Sequence, residues 1–486
     1  MKSFEIMLWL ATAMLLFRQV TGVLQGSRGL SLAIIAMAVV LIGLQLFFEG
    51  WRKPMLPAAA ALLLLALLPF LLPLLRLPTD GLATRLALGA AALLLAATTG
   101  LTWLRPAVSY PQPGGQYPVI GVTALPVVGE SPAGNVPTLD ELRHPPPLVK
   151  LWYPAQAVTP PGLFDTQYLA ERRKRFGERG QSLDDPAIVD APPLDLPAAA
   201  PLLFYLPGWP GTSIESAALV RELVSHGYYV ATVEYPARQA GMSEARYQAL
   251  KAELERPFYY GSATQHHELV EVSIERVRSR SLDTSAALDR LIALASAADS
   301  PFAGRYDARR AGAIGFSMGG AVAVQTVNRD ARFVTAINLD GRHWGESRAD
   351  GAKRPILMIS EPLEMPGPAL LNSPNNDLRY NAIEDTADYT ALLTNLARYG
   401  GMHVIVAGTQ HFNFSDLCLT SPLSRLTGSG SIAPRRGYAI TDAYVLAWFD
   451  RALKNIPSSL LDTTVSPFPE VVVRYWAAPS GVASTP

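Results

Sequence analysis

Ser317 lies in the run Gly315-Phe316-Ser317-Met318-Gly319. A serine hydroxyl is a poor nucleophile at neutral pH. It needs a base within hydrogen-bond reach and a third group that orients the base. The G-x-S-x-G spacing suits the first of these roles. Ala311, Gly312, Ala313 and Ile314 precede it as a small, apolar run of the kind that forms a buried strand, and Ala321-Val322-Ala323-Val324-Gln325 can continue as a helix. Strand, sharp turn and helix make a nucleophile elbow. The glycines answer a steric need, because side chains two residues either side of a strained, exposed serine would collide with neighbouring backbone.

The base should be a histidine on a loop after the last strands. In the strand–elbow–helix arrangement the partners follow in the order serine, acid, histidine. His144, His226, His266 and His267 precede the serine. His403 sits inside the apolar run MHVIVAG and reads as a sheet residue, and His343 comes before two expected strands. His411 directly follows that run, in GTQHFNF, and is the candidate base. Two carboxylates compete for the acid: Asp340 ends VTAINLD, and Glu361 ends the strand PILMIS. Both sit at the C-terminal end of a strand, where site residues collect, and sequence order does not separate them. An oxyanion needs two backbone N–H donors. Met318, after the nucleophile, supplies one. LLFYLPGWPGT supplies the other; proline has no N–H, so Trp209 is the expected donor, with Gly208 next.

Elements that could position these residues are visible around them. Strands are predicted at 118–123, 148–153, 202–206, 228–234, 311–316, 334–339, 356–360 and 403–407. Helices are predicted at 164–181, 214–225, within 270–297, at 386–399 and at 438–453. Strands alternating with helices predict an α/β fold with a mostly parallel sheet covered on both faces. The connection 236–265 carries Met242, Tyr247, Phe258, Tyr259 and Tyr260, and the loop 415–436 carries Leu417, Leu419, Leu423 and Leu426. Both are long for such units and are candidates for selecting the substrate.

The chain of 486 residues is long enough for more than one domain. Lys+Arg 41 balance Asp+Glu 41, which gives no reason to expect a nucleic-acid partner. One cysteine, Cys418, excludes an internal disulfide and a cysteine-built metal site. No cofactor or metal is implied by a serine–histidine–acid mechanism. Residues 1–105 hold four apolar runs, at 6–24, 30–48, 56–75 and 86–104. Each is near the ~20 residues that cross a bilayer, and Trp51 and Trp103 lie where interfacial aromatics belong. Four transmembrane helices are expected. A buried helical bundle, or a signal peptide for the first run, would share the pattern, although three further spans and Glu5 argue against the signal peptide. The basic residues are shared equally between the two sides, so orientation turns on residues 106–121, which carry no Lys or Arg. That tips the reading toward a catalytic domain outside the cytoplasm. Residues 106–115 form a Pro/Gly linker, and 116–486 form the catalytic domain.

From about residue 115 to about 455 the chain resembles the platelet-activating factor acetylhydrolase family, the plasma/type II-like α/β-hydrolases. The resemblance is carried, in order, by QYPVIGVT, VKLWYPA, LFYLPGWPGT, SHGYYVATVEYPAR, RSLDTSAALDRL, AGAIGFSMGG, INLDG, PILMISEP, QHFNF and ITDAYVLAWFDRAL. It implies an α/β-hydrolase fold and a serine ester hydrolase. It also implies Asp340 as the acid, because the family's acid follows the strand after the elbow helix. Phe316 stands where the family usually has histidine, and the secreted members lack the N-terminal apolar region. The expected activity is cleavage of acyl esters, of lipids or lipophilic molecules given the apolar region, with small-molecule or lipid esters and membrane lipids as partners. An acyltransferase with the same triad and a non-catalytic membrane scaffold of the same fold are the alternatives.

Overall fold

The computed structural model describes residues 3–21, 28–48, 53–78, 81–104, 110–125, 147–157, 187–209, 213–235, 244–245, 248–249, 252, 259–419 and 424–478. The predicted helix at 164–181, residues 106–109 of the Pro/Gly linker and the loop candidates Met242, Tyr247, Phe258 and Leu423 lie outside them.

The N-terminal region holds four helices: α1 (Ser3–Thr21), α2 (Arg28–Phe48), α3 (Leu56–Leu74) and α4 (Leu82–Leu104). Their buried faces meet through Leu8, Leu15, Ile34, Ala38, Ala61, Leu65 and Leu95. Met14, Phe17, Leu63, Phe70 and Leu93 point outward. Among the described residues, two helices are long and apolar enough to cross a membrane, Leu56–Leu74 and Leu82–Trp103. The expectation of four spans is not supported beyond these two. The α1 helix carries Glu5, Arg18 and Gln19, and the described apolar stretch of α2 is the shorter Ala33–Leu44.

The second unit is built on a ten-stranded sheet in the order β10-β9-β8-β7-β6-β4-β5-β2-β1-β3. Its strands are β1 (Ile120–Leu125), β2 (Leu148–Pro154), β3 (Ile188–Val189), β4 (Ala200–Leu206), β5 (Tyr229–Glu234), β6 (Tyr306–Phe316), β7 (Phe333–Leu339), β8 (Ile356–Ser360), β9 (Gly401–Val406) and β10 (Val471–Trp476). From β5 through β4, β6, β7 and β8 to β9 every neighbour is parallel. The antiparallel β2–β5 and β9–β10 pairs flank that parallel block. The helices that follow are α5 (Ala217–Ser225), α6 (Ala263–Ser296), α7 (Met318–Arg329), α8 (Asn376–Tyr399) and α9 (Pro434–Lys454).

Side chains alternate between two cores because the strand period is two. On β4, Leu202, Phe204 and Leu206 face one core together with Val322 and Val324 of α7 and Leu288 and Leu291 of α6. Leu203 and Tyr205 face the other, with Leu219 and Leu223 of α5 and Tyr444 and Phe449 of α9. The parallel strands are buried on both faces, which is why they read as continuous apolar runs rather than as alternating ones. The carboxyl ends of the parallel strands therefore lie along one edge of the sheet. The mostly parallel, helix-covered sheet agrees with the expected α/β-hydrolase fold. The edge strand β10 was not foreseen.

Candidate active site

The candidate residues occupy the carboxyl ends of consecutive strands. Ser317 follows β6, Asp340 follows β7, Glu361 follows β8 and the loop with His411 follows β9. Ser317 has φ 55° and ψ −124° and directly precedes α7. Its N–H still donates to Leu339 O at 2.9 Å, so the sheet ladder fixes the residue while its backbone turns. The glycine argument holds at this turn. A Cβ at Gly315 would lie 2.1 Å from Gly319 O, and one at Gly319 would lie 1.9 Å from Leu206 O. Asp340 repeats the device one strand over. Its φ is 54°, and its N–H donates to Ile359 O at 2.9 Å.

His411 joins the two. Its Nε2 lies 2.9 Å from Ser317 Oγ, and its Nδ1 lies 2.7 Å from Asp340 Oδ2. The second carboxylate oxygen of Asp340 accepts the Glu361 N–H at 3.0 Å. Of the two candidate acids, then, Asp340 contacts the imidazole, while Glu361 supports Asp340 through its backbone. His411 opens a 3-10 turn, His411–Phe414, in which the Gln410 N–H donates to Asn413 Oδ1 at 2.9 Å. The Phe316 ring lies against the imidazole with centroids 4.7 Å apart. Asn338, which the sequence reading passed over, ties the turn after β7. Its Nδ2 donates to Gly341 O at 2.8 Å, and its Oδ1 accepts the Gly341 N–H at 2.8 Å. An asparagine in the otherwise apolar end of β7 was the signal for it.

The electrostatics follow from burial and from these partners. Burial works against the His411 imidazolium, but the Asp340 hydrogen bond and charge, with Glu361 behind them, outweigh it and raise the His411 pKa above its ordinary value. Burial, and next the Asp340 charge, push Glu361 up to about 7. His403, the sheet histidine, is fully buried, with Nε2 2.8 Å from Ser360 Oγ. Burial takes its pKa down to about 4. His343 is likewise away from the serine and contacts Asp388 through Nδ1 at 3.1 Å.

The loop after β4 lies against the nucleophile. A Cβ at Gly208 would sit 3.2 Å from Ser317 Cβ and 3.2 Å from Phe316 O. The N–H of Gly208, the alternative expected oxyanion donor, donates to Glu215 Oε1. The Trp209 N–H is the remaining donor of the described part of this loop. Met318 is the first residue of α7, where N–H groups lack helical acceptors. Of the apolar groups in the long loops, Tyr259 and Leu417 are exposed, whereas Tyr260 is buried and its hydroxyl lies 3.5 Å from Arg342 Nη1. Among the described residues no cluster of His, Cys, Asp or Glu is arranged to hold a metal ion.

A parallel sheet that presents a serine on a strand-to-helix elbow at its carboxyl edge defines an α/β-hydrolase. The family model described as platelet-activating factor acetylhydrolase, isoform II, matches residues 181–456. That is more than half of the chain; the protein belongs to this family and is a carboxylic ester hydrolase. Among solved structures it is similar to a ferulic acid esterase from Streptomyces cinnamoneus, with 24% identity and a TM-score of 0.51, over 75% of this chain and 97% of that one. At that identity the likeness supports the fold alone. No curated protein sequence matches the chain.

Proposed function

We propose that the protein is a membrane-anchored serine esterase that cleaves acyl esters of lipids or other lipophilic molecules. The reading rests on the His411 imidazole, with Nε2 2.9 Å from the Ser317 hydroxyl and Nδ1 2.7 Å from the Asp340 carboxylate. In this mechanism Ser317 Oγ attacks the ester carbonyl carbon while His411 Nε2 takes the hydroxyl proton. Asp340 holds the imidazole in the tautomer with its proton on Nδ1 and offsets the charge that develops. The N–H groups of Trp209 and Met318 stabilise the oxyanion. Collapse of the tetrahedral intermediate breaks the ester C–O bond, and His411 returns the proton to the leaving alcohol. Water, deprotonated by His411, then attacks the acyl-enzyme, and the carboxylic acid leaves as Ser317 regains its proton.

The lipophilic substrate class rests on location. The α3 and α4 helices are long and apolar enough to anchor the chain, with Leu63, Phe70 and Leu93 facing outward. The test is fluorophosphonate labelling and p-nitrophenyl ester hydrolysis by the wild-type protein and Ser317→Ala, over a series of acyl lengths, with membrane retention after an alkaline carbonate wash. Ser317→Ala is expected to lose both labelling and turnover and to stay in the membrane pellet. Wild-type turnover by that variant refutes the nucleophile, and release of the chain by the wash refutes the anchor.

A further inference from the structure

Two charged side chains behind the β4 loop hold the peptide units on either side of Gly208. Glu215 lies in the 3-10 turn Ser213–Ser216 that leads into α5 and accepts the Gly208 N–H through Oε1. Arg280, buried on α6, donates from Nη1 to the Gly208 carbonyl oxygen at 3.4 Å. The same guanidinium sits over the Tyr235 ring at 4.2 Å. It also lies 5.5 Å from the Trp209 ring, which Arg276, another α6 side chain, covers at 3.5 Å. Tyr235 is itself fixed by its hydroxyl, which donates to Asp283 Oδ2 at 2.9 Å.

Peptide geometry gives this grip a consequence. The Gly208 carbonyl and the Trp209 N–H belong to one planar unit, and in a trans peptide they point in opposite directions. An arginine that draws the carbonyl toward α6 therefore turns the Trp209 N–H away from α6. Glu215 fixes the preceding unit in the same way, by its N–H. With both units held, Gly208 keeps little freedom to rotate beside Ser317, the residue its absent Cβ would touch. Burial pushes the Glu215 carboxyl up to about 8, against the pull of the Gly208 N–H and of Arg280. Its carbonyl oxygen can accept the N–H in either protonation state.

We infer that Arg280 and Glu215 are positioning residues of this esterase, setting the peptide planes around Gly208 so that the Trp209 N–H faces the oxygen that becomes negative in the transition state. The inference rests on the proposed roles of Ser317 and Trp209. Removing an oxyanion donor costs about 10²–10³-fold in kcat, and misdirecting one costs part of that.

The experiment compares full-length Glu215→Gln, Glu215→Asp and Arg280→Met with the wild type. It measures kcat and KM on p-nitrophenyl acetate and affinity for a trifluoromethyl ketone, which the serine converts to a charged tetrahedral adduct. The aspartate is one methylene too short to reach Gly208. Glu215→Asp and Arg280→Met are expected to lower kcat about 10- to 100-fold, with KM within about twofold and ketone affinity falling in parallel with kcat. Glu215→Gln keeps the acceptor and is expected to stay within about threefold of wild type. If Arg280→Met does not fold, the Gln/Asp pair decides alone. A Glu215→Asp variant with wild-type kcat, or one that loses rate while ketone affinity is unchanged, overturns the inference. Turnover by Ser317→Ala would overturn the underlying site reading instead, so the two failures are separable.

Discussion

Replacing Asp340 with asparagine changes one atom's chemistry and is expected to remove almost all of the activity. The Asp340 Oδ1 accepts the Glu361 N–H at 3.0 Å, and Oδ2 accepts from His411 Nδ1 at 2.7 Å. In the variant the amide oxygen keeps the Glu361 N–H, because an NH₂ group there would meet another donor. The NH₂ is left facing His411 Nδ1, which must then accept, so the ring proton moves to Nε2. At that position, 2.9 Å from Ser317 Oγ, the imidazole donates a hydrogen bond and can no longer take a proton. In a serine protease the same change costs about 10⁴-fold in kcat, which is about 5.5 kcal/mol of transition-state stabilisation. The backbone bond from the residue 340 N–H to Ile359 O does not involve the side chain, so the variant should fold. The assay is the initial rate of p-nitrophenyl acetate hydrolysis from pH 6 to 9, with thermal unfolding as the control for folding. A folded Asp340→Asn within tenfold of wild type, or a larger loss in Glu361→Gln than in Asp340→Asn, would refute the assignment.

Three further outcomes are expected. The base must be neutral to accept a proton, so the rate rises with pH through the His411 pKa, which lies above the ordinary value of about 6.5. The Glu361 charge helps raise it, so Glu361→Gln should move the acidic limb of kcat/KM to lower pH, and an unmoved limb would count against the coupling. His403 binds its proton at about 4 in the folded protein and near 6.5 when unfolded. Between those values the unfolded chain holds more protons, so this stability is complete above about pH 6.5 and is lost as the pH falls toward 4. Going from pH 7 to pH 5 should cost the wild type about 2 kcal/mol more than His403→Gln, read from thermal unfolding at the two values; equal losses would refute the buried-histidine account. Deletion of residues 1–104 should leave a domain that hydrolyses a short soluble ester, and a folded truncation without that activity would tie the apolar helices to the site.

How much of this was legible in the sequence depended on how local the cause was. The elbow, the strand ends and His411 could be read because glycine spacing and short apolar runs act within a few residues. The start of α6 was placed too late, although Ser262 and Gln265 gave the signal: the Ser262 Oγ accepts the Gln265 N–H at 3.1 Å and caps the helix. The run VVVRYW was overlooked as a strand, yet it pairs antiparallel with β9 from Val471 to Trp476. Glu215 and Arg280 were not legible. Each reads as an ordinary polar residue near or on a helix, and its partner is found only when the chain folds; Arg280 is 72 residues from Gly208. The residues alone left Asp340 and Glu361 open, and the family resemblance pointed to Asp340. Both end strands, and it is the turn held by Asn338 that belongs with Asp340.

Ser317 and Asp340 stand side by side at the ends of β6 and β7 with φ of 55° and 54°, a region that favours glycine. Each such residue costs a fold on the order of 1–3 kcal/mol. On the proposed mechanism, two of the residues that carry the chemistry are therefore held in a backbone conformation that costs the fold energy. A glycine at either place would relax the strand end while removing a side chain that contacts His411. A search for heat-resistant variants that scored survival alone would weigh that relief against the lost hydrogen bonds, and not against turnover. On the proposed mechanism, turnover is the property that requires the serine and the aspartate at these two places.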